Sequence, residues 1–249
     1  MARILIAGES WMTTSTHVKG VDAFSVHSYT EGVGPLRDAL VARGHDVVHL
    51  PAHRVPGEFP GDAAALGAYD LVVLSDIGAN SIQLAPAVFE RAEPGEDRLG
   101  ALRDWVGDGG ALLMVGGYLS FSGFEAKAAF RQTVLADVLP VTMLSEDDRV
   151  ERPAGVVPTV LDPGHAALGG AGESWPLLLG YNRVVAKEVA EVPVLVGDDP
   201  LVALGTFGAG RAGAFTSDCS PHWAPPAFCE QWPGYADLFD GLVRWLAKT

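Results

Sequence analysis

The sequence predicts an α/β protein, a mostly parallel sheet with helices on both faces, followed by a β-rich C-terminal half. Three observations predict it. Short apolar runs alternate with helix-patterned segments through the first half. Proline and glycine bracket the helical pattern as start and stop signals. Beyond Pro140 the chain becomes rich in Pro and Gly and carries the apolar runs VPVLV, LVALGTF and RAGAFTS.

Taken in order, Arg3–Ala7 (RILIA) is the first strand, because Glu9 ends the apolar run too early for a signal peptide. A long polar loop follows. Pro35 and Gly44 bracket PLRDALVARG as a helix, and DVVHL is the second strand. Leu71–Ser75 is the third, a helix covers Asp97 to Val106, and Ala111–Val115 is the fourth. After it, GGYLSFSGFEAK reads as a tight turn into a helix, the outline of a nucleophile elbow. LVALGTF and RAGAFTS form a hairpin about Gly208-Ala209-Gly210. YADLFDGLVRWLAK has Leu238, Leu242, Trp245 and Leu246 at helical spacing and closes the fold. With no repeat and no low-complexity linker, residues 1–249 are read as one domain.

The 249 residues include 31 acidic and 17 basic ones, a net charge of −14. That balance repels phosphate backbones and anionic membranes, so neither nucleic acid nor a membrane is expected as a partner. No apolar stretch approaches the ~18 residues that cross a bilayer. Two cysteines, Cys219 and Cys229, fit a reducing cytoplasm better than a disulfide framework.

In a doubly wound sheet the loops after the strand C-termini share one edge, and ligands bind there. Four loops fall on it. The first begins Gly8-Glu9-Ser10-Trp11 and runs on through His17, Lys19, Asp22, His27 and Tyr29. The second is Ser75-Asp76-Ile77-Gly78-Ala79-Asn80, the third the elbow with Gly117 and Tyr118, and the fourth Asp218-Cys219-Ser220-Pro221-His222-Trp223. Asp, Asn, Ser and Gly are also ordinary turn residues, which is the competing structural explanation.

Other patterns lead away from a site. His45, His49 and His53 lie in a strand-like run, where residues four apart are about 13 Å from each other and cannot close on one ion. Gly205-Thr-Phe-Gly-Ala-Gly reverses the dinucleotide fingerprint and lies between strands. No cofactor is expected. A divalent cation on Asp76, Asp218 and Asp22 with His17 is an oxygen-rich alternative. The acidic run Ser145–Arg152 reads either as a solvated face or as part of a site or an oligomer contact.

HVKGVDAF, YDLVVLSDIGAN, GGYLSFSGFEAK, DDRVERP, WPLLLGYN and SDCSPHW together resemble bacterial cytoplasmic proteins described as "putative glutamine amidotransferases". The resemblance implies a flavodoxin-like sheet of the class I glutamine amidotransferase-like superfamily, and not by itself the activity. Working members resemble Gly-x-Cys-x-Gly at the elbow and carry His-x-Glu after a late strand. Here Gly116-Gly117-Tyr118-Leu119-Ser120 puts a tyrosine at the cysteine, and no His-x-Glu occurs near Ser217 to Cys219.

Acid–base or hydrolytic work is therefore expected of Asp218, His222 and Asp76. Ser10, Trp11, His17, Lys19, Asn80, Gly117 and Tyr118 are expected to bind a small polar ligand. By analogy with the superfamily that ligand is carbohydrate-like, with Trp11 and Trp223 stacking on a sugar face. Two alternatives stand beside this reading: a catalytically silent binding or homo-oligomerisation domain, and glutamine hydrolysis through Cys219.

Overall fold

The computed structural model describes residues 1–249. Its fourteen strands are β1 Arg3–Gly8, β2 Ser10–Lys19, β3 Asp22–Glu31, β4 Asp46–Leu50, β5 Leu71–Ser75, β6 Ala111–Val115 and β7 Val141–Met143, then β8 Arg149–Val156, β9 Pro158–Val160, β10 Leu178–Asn182, β11 Val184–Ala186, β12 Glu191–Val196, β13 Asp199–Phe207 and β14 Gly210–Phe215. Eight make the central sheet, in the order β4-β1-β5-β6-β14-β13-β12-β9. The first five are mutually parallel. β13, β12 and β9 extend the sheet antiparallel.

Strand alternation divides the apolar residues between two faces. Ile4, Ile6, Val73, Leu113 and Val115 join one buried cluster, which the C-terminal helix Gly234–Ala247 closes with Leu238, Leu242 and Leu246. Leu5, Ala7, Val72, Leu74, Leu112 and Met114 join the other, closed by Leu102, Trp105 and Val106 of the helix Arg98–Gly107. Burial on both faces explains why β5 and β6 read as unbroken apolar runs.

Two expectations are corrected. The polar loop after β1 is a β-hairpin: β2 and β3 pair from Ser10↔Glu31 to Lys19↔Asp22 around Gly20-Val21. Gly20 takes the positive φ of 67° that a two-residue hairpin loop calls for. Every residue of the two strands except Ser10 is exposed. Neither face is buried, so the sequence carries no apolar alternation to mark it.

The elbow has no helix behind it. Phe121, Gly123, Glu125, Ala126 and Ala129 have φ between 51° and 71°, which breaks a right-handed helix at each. Only the 3-10 turns Phe124–Ala126 and Phe130–Gln132 form there.

Gly8 ends β1 at φ 105°, where a Cβ would stand 2.0 Å from the Ser75 carbonyl oxygen. Gly8→Ala is expected to lower stability by about 3 kcal/mol or more, combining left-handed strain with a backbone clash. Urea unfolding tests this; an unchanged midpoint would contradict the described strand end.

Candidate functional site

Glu9, Asp76, Tyr118 and Asp218 follow the C-terminal ends of β1, β5, β6 and β14, which bring them to one edge of the sheet. With Trp11, Ser220, Pro221 and His222 they line a pocket of about 310 Å³. Glu9 and Asp76 both have positive φ, 49° and 43°. Left-handed backbone is sparsely populated for acidic residues and persists where the surroundings over-determine it.

Glu9 is the innermost group, 1% exposed. Its Oε2 accepts from Ser75 Oγ at 2.5 Å and its Oε1 from Ser220 Oγ at 2.7 Å. Its backbone N–H donates to the Ser75 carbonyl, and its own carbonyl accepts from Gly32 N. Burial, reinforced by Asp218 and Asp76, pushes the Glu9 carboxyl up to about 8. Asp76 rises to about 6, again mainly through burial and then through Asp218, while the Leu119 N–H at 2.7 Å opposes the shift. Burial thus favours the neutral form of both carboxyls, and of Glu9 more than of Asp76.

Asp218 accepts from Ser220 N at 3.1 Å and faces His222 Nδ1 at 3.5 Å. That pairing raises the imidazole pKa against the opposing effect of burial. The ring is half-exposed at the mouth, edge-on to Tyr118 at 4.6 Å between centroids.

Tyr118 is fixed from behind. Its Oη donates to Glu151 Oε1 at 3.0 Å, and the other Glu151 oxygen accepts Trp223 Nε1 at 3.1 Å. The Arg149 guanidinium lies 4.9 Å from the Tyr118 ring centre. Burial and the Glu151 hydrogen bond raise the phenol pKa, the opposite of what a nucleophile needs. The preceding turn is pinned by Asn182, which accepts from Gly117 N at 2.9 Å and donates to Gly117 O and Asp148 Oδ1. Asp148 in turn accepts from Ser122 N and Gly123 N. Part of the acidic run thus supports the site from within the fold.

Of the residues expected at the site, Asp76, Asp218, His222, Tyr118 and Trp11 line the pocket, and Gly117 backs it through its turn. Ser10 is buried outside it, in a neighbouring cleft with Met12, Tyr29 and His53, where its Oγ accepts from Ala52 N. His17 and Lys19 do not belong. They lie about 20–26 Å along the hairpin from Trp11 at strand rise, packed on Phe24. Asp22 is beside them, which removes it and His17 from any shared cation site. Asn80 is exposed in the helix Ala79–Gln83 and lines a separate cleft with Pro56, Leu84 and Phe89. Trp223 is 1% exposed behind Tyr118, so its face is closed to a ligand.

Glu9, Ser75 and Ser220 lie in the loops that the sequence places on this edge but carry no assigned role there, and Glu151 is read only within the acidic run. The one signal for Glu9 was its place directly after a buried strand.

Cys219 is fully buried, its Sγ 3.6 Å from Glu9 Oε2, and burial pushes the thiol well above its usual range. The imidazole nearest in sequence is engaged with Asp218. Nothing there favours a thiolate. Glu9, Asp218 and Cys219 present ligand atoms within 4.8 Å of one another. Holding an ion would require Glu9 and Cys219 to surrender protons that the surroundings favour.

A mostly parallel α/β sheet with a polar pocket on its strand ends defines the class. The family model described as "Putative glutamine amidotransferase" matches residues 3–248, and the chain belongs to that family. It is 41% identical to cytoplasmic protein STM3548 from Salmonella typhimurium, covering 98% of each chain at a TM-score of 0.94. It is 43% identical to cytoplasmic protein STM1381 from Salmonella typhimurium LT2, covering 98% of this chain and 99% of that one, again at 0.94. A ThuA-like protein from Parabacteroides merdae, 14% identical, shares the fold at a TM-score of 0.55 over 98% of this chain and 89% of that one. Comparison with curated proteins finds no match. No helix is long and apolar enough to cross a membrane.

Proposed function

We propose that this chain binds a small, polyhydroxylated, carbohydrate-like molecule in the pocket and acts on it by acid–base chemistry, without a Cys-His-Glu triad. One observation carries the reading. Two carboxyl groups line one pocket, and burial raises both, Glu9 to about 8 and Asp76 to about 6. Such a pair assigns the acid to Glu9 and the base to Asp76. The Asp218–His222 pair supplies a second proton carrier at the mouth.

The fold supports the location. The parallel strands β4-β1-β5-β6-β14 run in the flavodoxin-like order 2-1-3-4-5, and Glu9 and Asp76 follow the two strands at its switch point. The lining supports the ligand class. Carboxyl and hydroxyl groups accept and donate to hydroxyls, and the Trp11 ring, 40% exposed, suits the apolar face of a sugar ring.

Turnover is expected to follow a bell with limbs near pH 6 and pH 8, since it needs Asp76 ionised and Glu9 protonated. The first test is ligand-observed NMR with neutral mono- and disaccharides and polyols at pH 7. Binding should be reduced at least tenfold by Trp11→Ala, about the loss of one aromatic contact. Binding that Trp11→Ala leaves unchanged, or no binding by any sugar, would reject the ligand class. Binding without turnover at any pH would instead favour the silent reading, for which the missing triad speaks.

A further inference from the structure

The β2–β3 hairpin touches the body at its root, where Tyr29 meets His53 edge-on at 5.1 Å and Met12 lines a cleft with Ala52, and from Thr13 to Ser28 it is an exposed arm. Isolated two-stranded ribbons are marginal in water, because neither face buries anything. This one still exposes Met12, Val18, Val21, Phe24, Val26 and Tyr29. The pairing register sets Phe24 and Val26 on one face with Trp11, and Met12, Val18 and Tyr29 on the other. Both faces therefore offer apolar side chains, among Thr and Ser residues that pair across the strands, such as Thr16 with Ser25 at 3.1 Å.

We propose that the arm embraces a second copy of this chain, which in return lends its own arm. Area favours a copy over a foreign partner. Ten residues per strand give a ribbon about 33 Å long and about 10 Å wide, or roughly 300 Å² for each face. Two exchanged arms, each covering one face and an equal area of the neighbour, remove roughly 1,200 Å² from water, the lower bound of stable interfaces. Burying both faces doubles that figure, whereas a partner that grips one arm reaches half of it.

Charge favours the arm as the point of contact. Two copies at −14 each repel. From Ser10 to Glu31 the only formal charges are Lys19, Asp22 and Glu31, so the arm brings one net negative charge to the encounter. The arm is rooted at Trp11, which lines the pocket, so the neighbour's hold also fixes one wall of the site.

The test is light scattering coupled to size exclusion on the full chain at micromolar concentration. It is repeated on a chain in which Thr13–Ser28 is replaced by an Asn-Gly turn, and on the double variant Phe24→Lys, Val26→Lys. The full chain should run at two or more times 26.1 kDa. The shortened chain, fourteen residues shorter, should run at its own monomer mass, below 26.1 kDa, and keep its thermal unfolding midpoint, because the exposed strand residues removed contribute no core. The double variant should shift at least tenfold toward monomer. Amide exchange along β2 and β3 should slow as concentration rises. A full chain that is monomeric, or a shortened chain that keeps the oligomeric mass, would overturn the proposal.

Discussion

Replacing Asp76 with Asn is expected to lower turnover by about 10²–10⁴, the usual contribution of a positioned general base. The change keeps the shape and the Oδ1 that accepts from Leu119 N, so the turn carrying Tyr118 should hold. Ligand affinity should change far less than turnover, because one acceptor oxygen remains. A loss confined to binding would make Asp76 a ligand anchor rather than a base. Full activity in Asp76→Asn, measured at pH 7, would remove it from the chemistry.

Glu9→Gln should raise stability on the alkaline side and, by removing the acid, lower turnover by about 10²–10⁴. The sign follows from linkage. Below pH 4.5 the carboxyl is protonated in both folded and unfolded chains and contributes no difference. As pH rises toward 8 the unfolded chain releases the proton while the folded one retains it, so native stability falls, and above 8 the loss is complete. Asp76 acts in the same direction over a lower window, from 3.8 to about 6, and is spent by pH 7. Glutamine carries no proton to lose, and Ser75 or Ser220 can turn its hydroxyl to accept from the new amide. Thermal unfolding should therefore show Glu9→Gln well above wild type at pH 8.5, by 5 °C or more, with the gap closing near pH 4.5. A gap independent of pH would trace the effect to packing.

The parts of this molecule that bury apolar surface were legible in its sequence. RILIA, LVVLS, ALLMV and the C-terminal helix announce themselves because each must meet the core, and periodicity records that demand. The hairpin was illegible for the same reason: with neither face buried inside one chain, Ser10–Glu31 has no pattern to imprint. The helix foreseen after Gly117 failed because Phe121, Glu125 and Ala129 adopt left-handed backbone, a choice imposed by tertiary contacts and invisible in residue type.

The site divides along a similar line. Strand ends told where Asp76, Asp218 and Tyr118 would gather. Glu9 falls in the first candidate loop without a role, because an acidic residue after a strand resembles any turn residue; its burial beneath Ser75 and Ser220 exists only once β1, β5 and the 218–222 turn meet. His17 and Lys19 were assigned to the pocket because a loop was expected to fold back, and the hairpin carries them away instead.

The proposed acid–base chemistry requires Glu9 to be a neutral acid at physiological pH. Carbon-13 NMR of chains labelled at the glutamate carboxyl carbon measures this directly across pH 3–10. One resonance should titrate near pH 8 and vanish in Glu9→Gln. If every glutamate instead titrates below about pH 5, the ordinary carboxylate range, the pocket holds no such acid and the acid–base assignment is wrong.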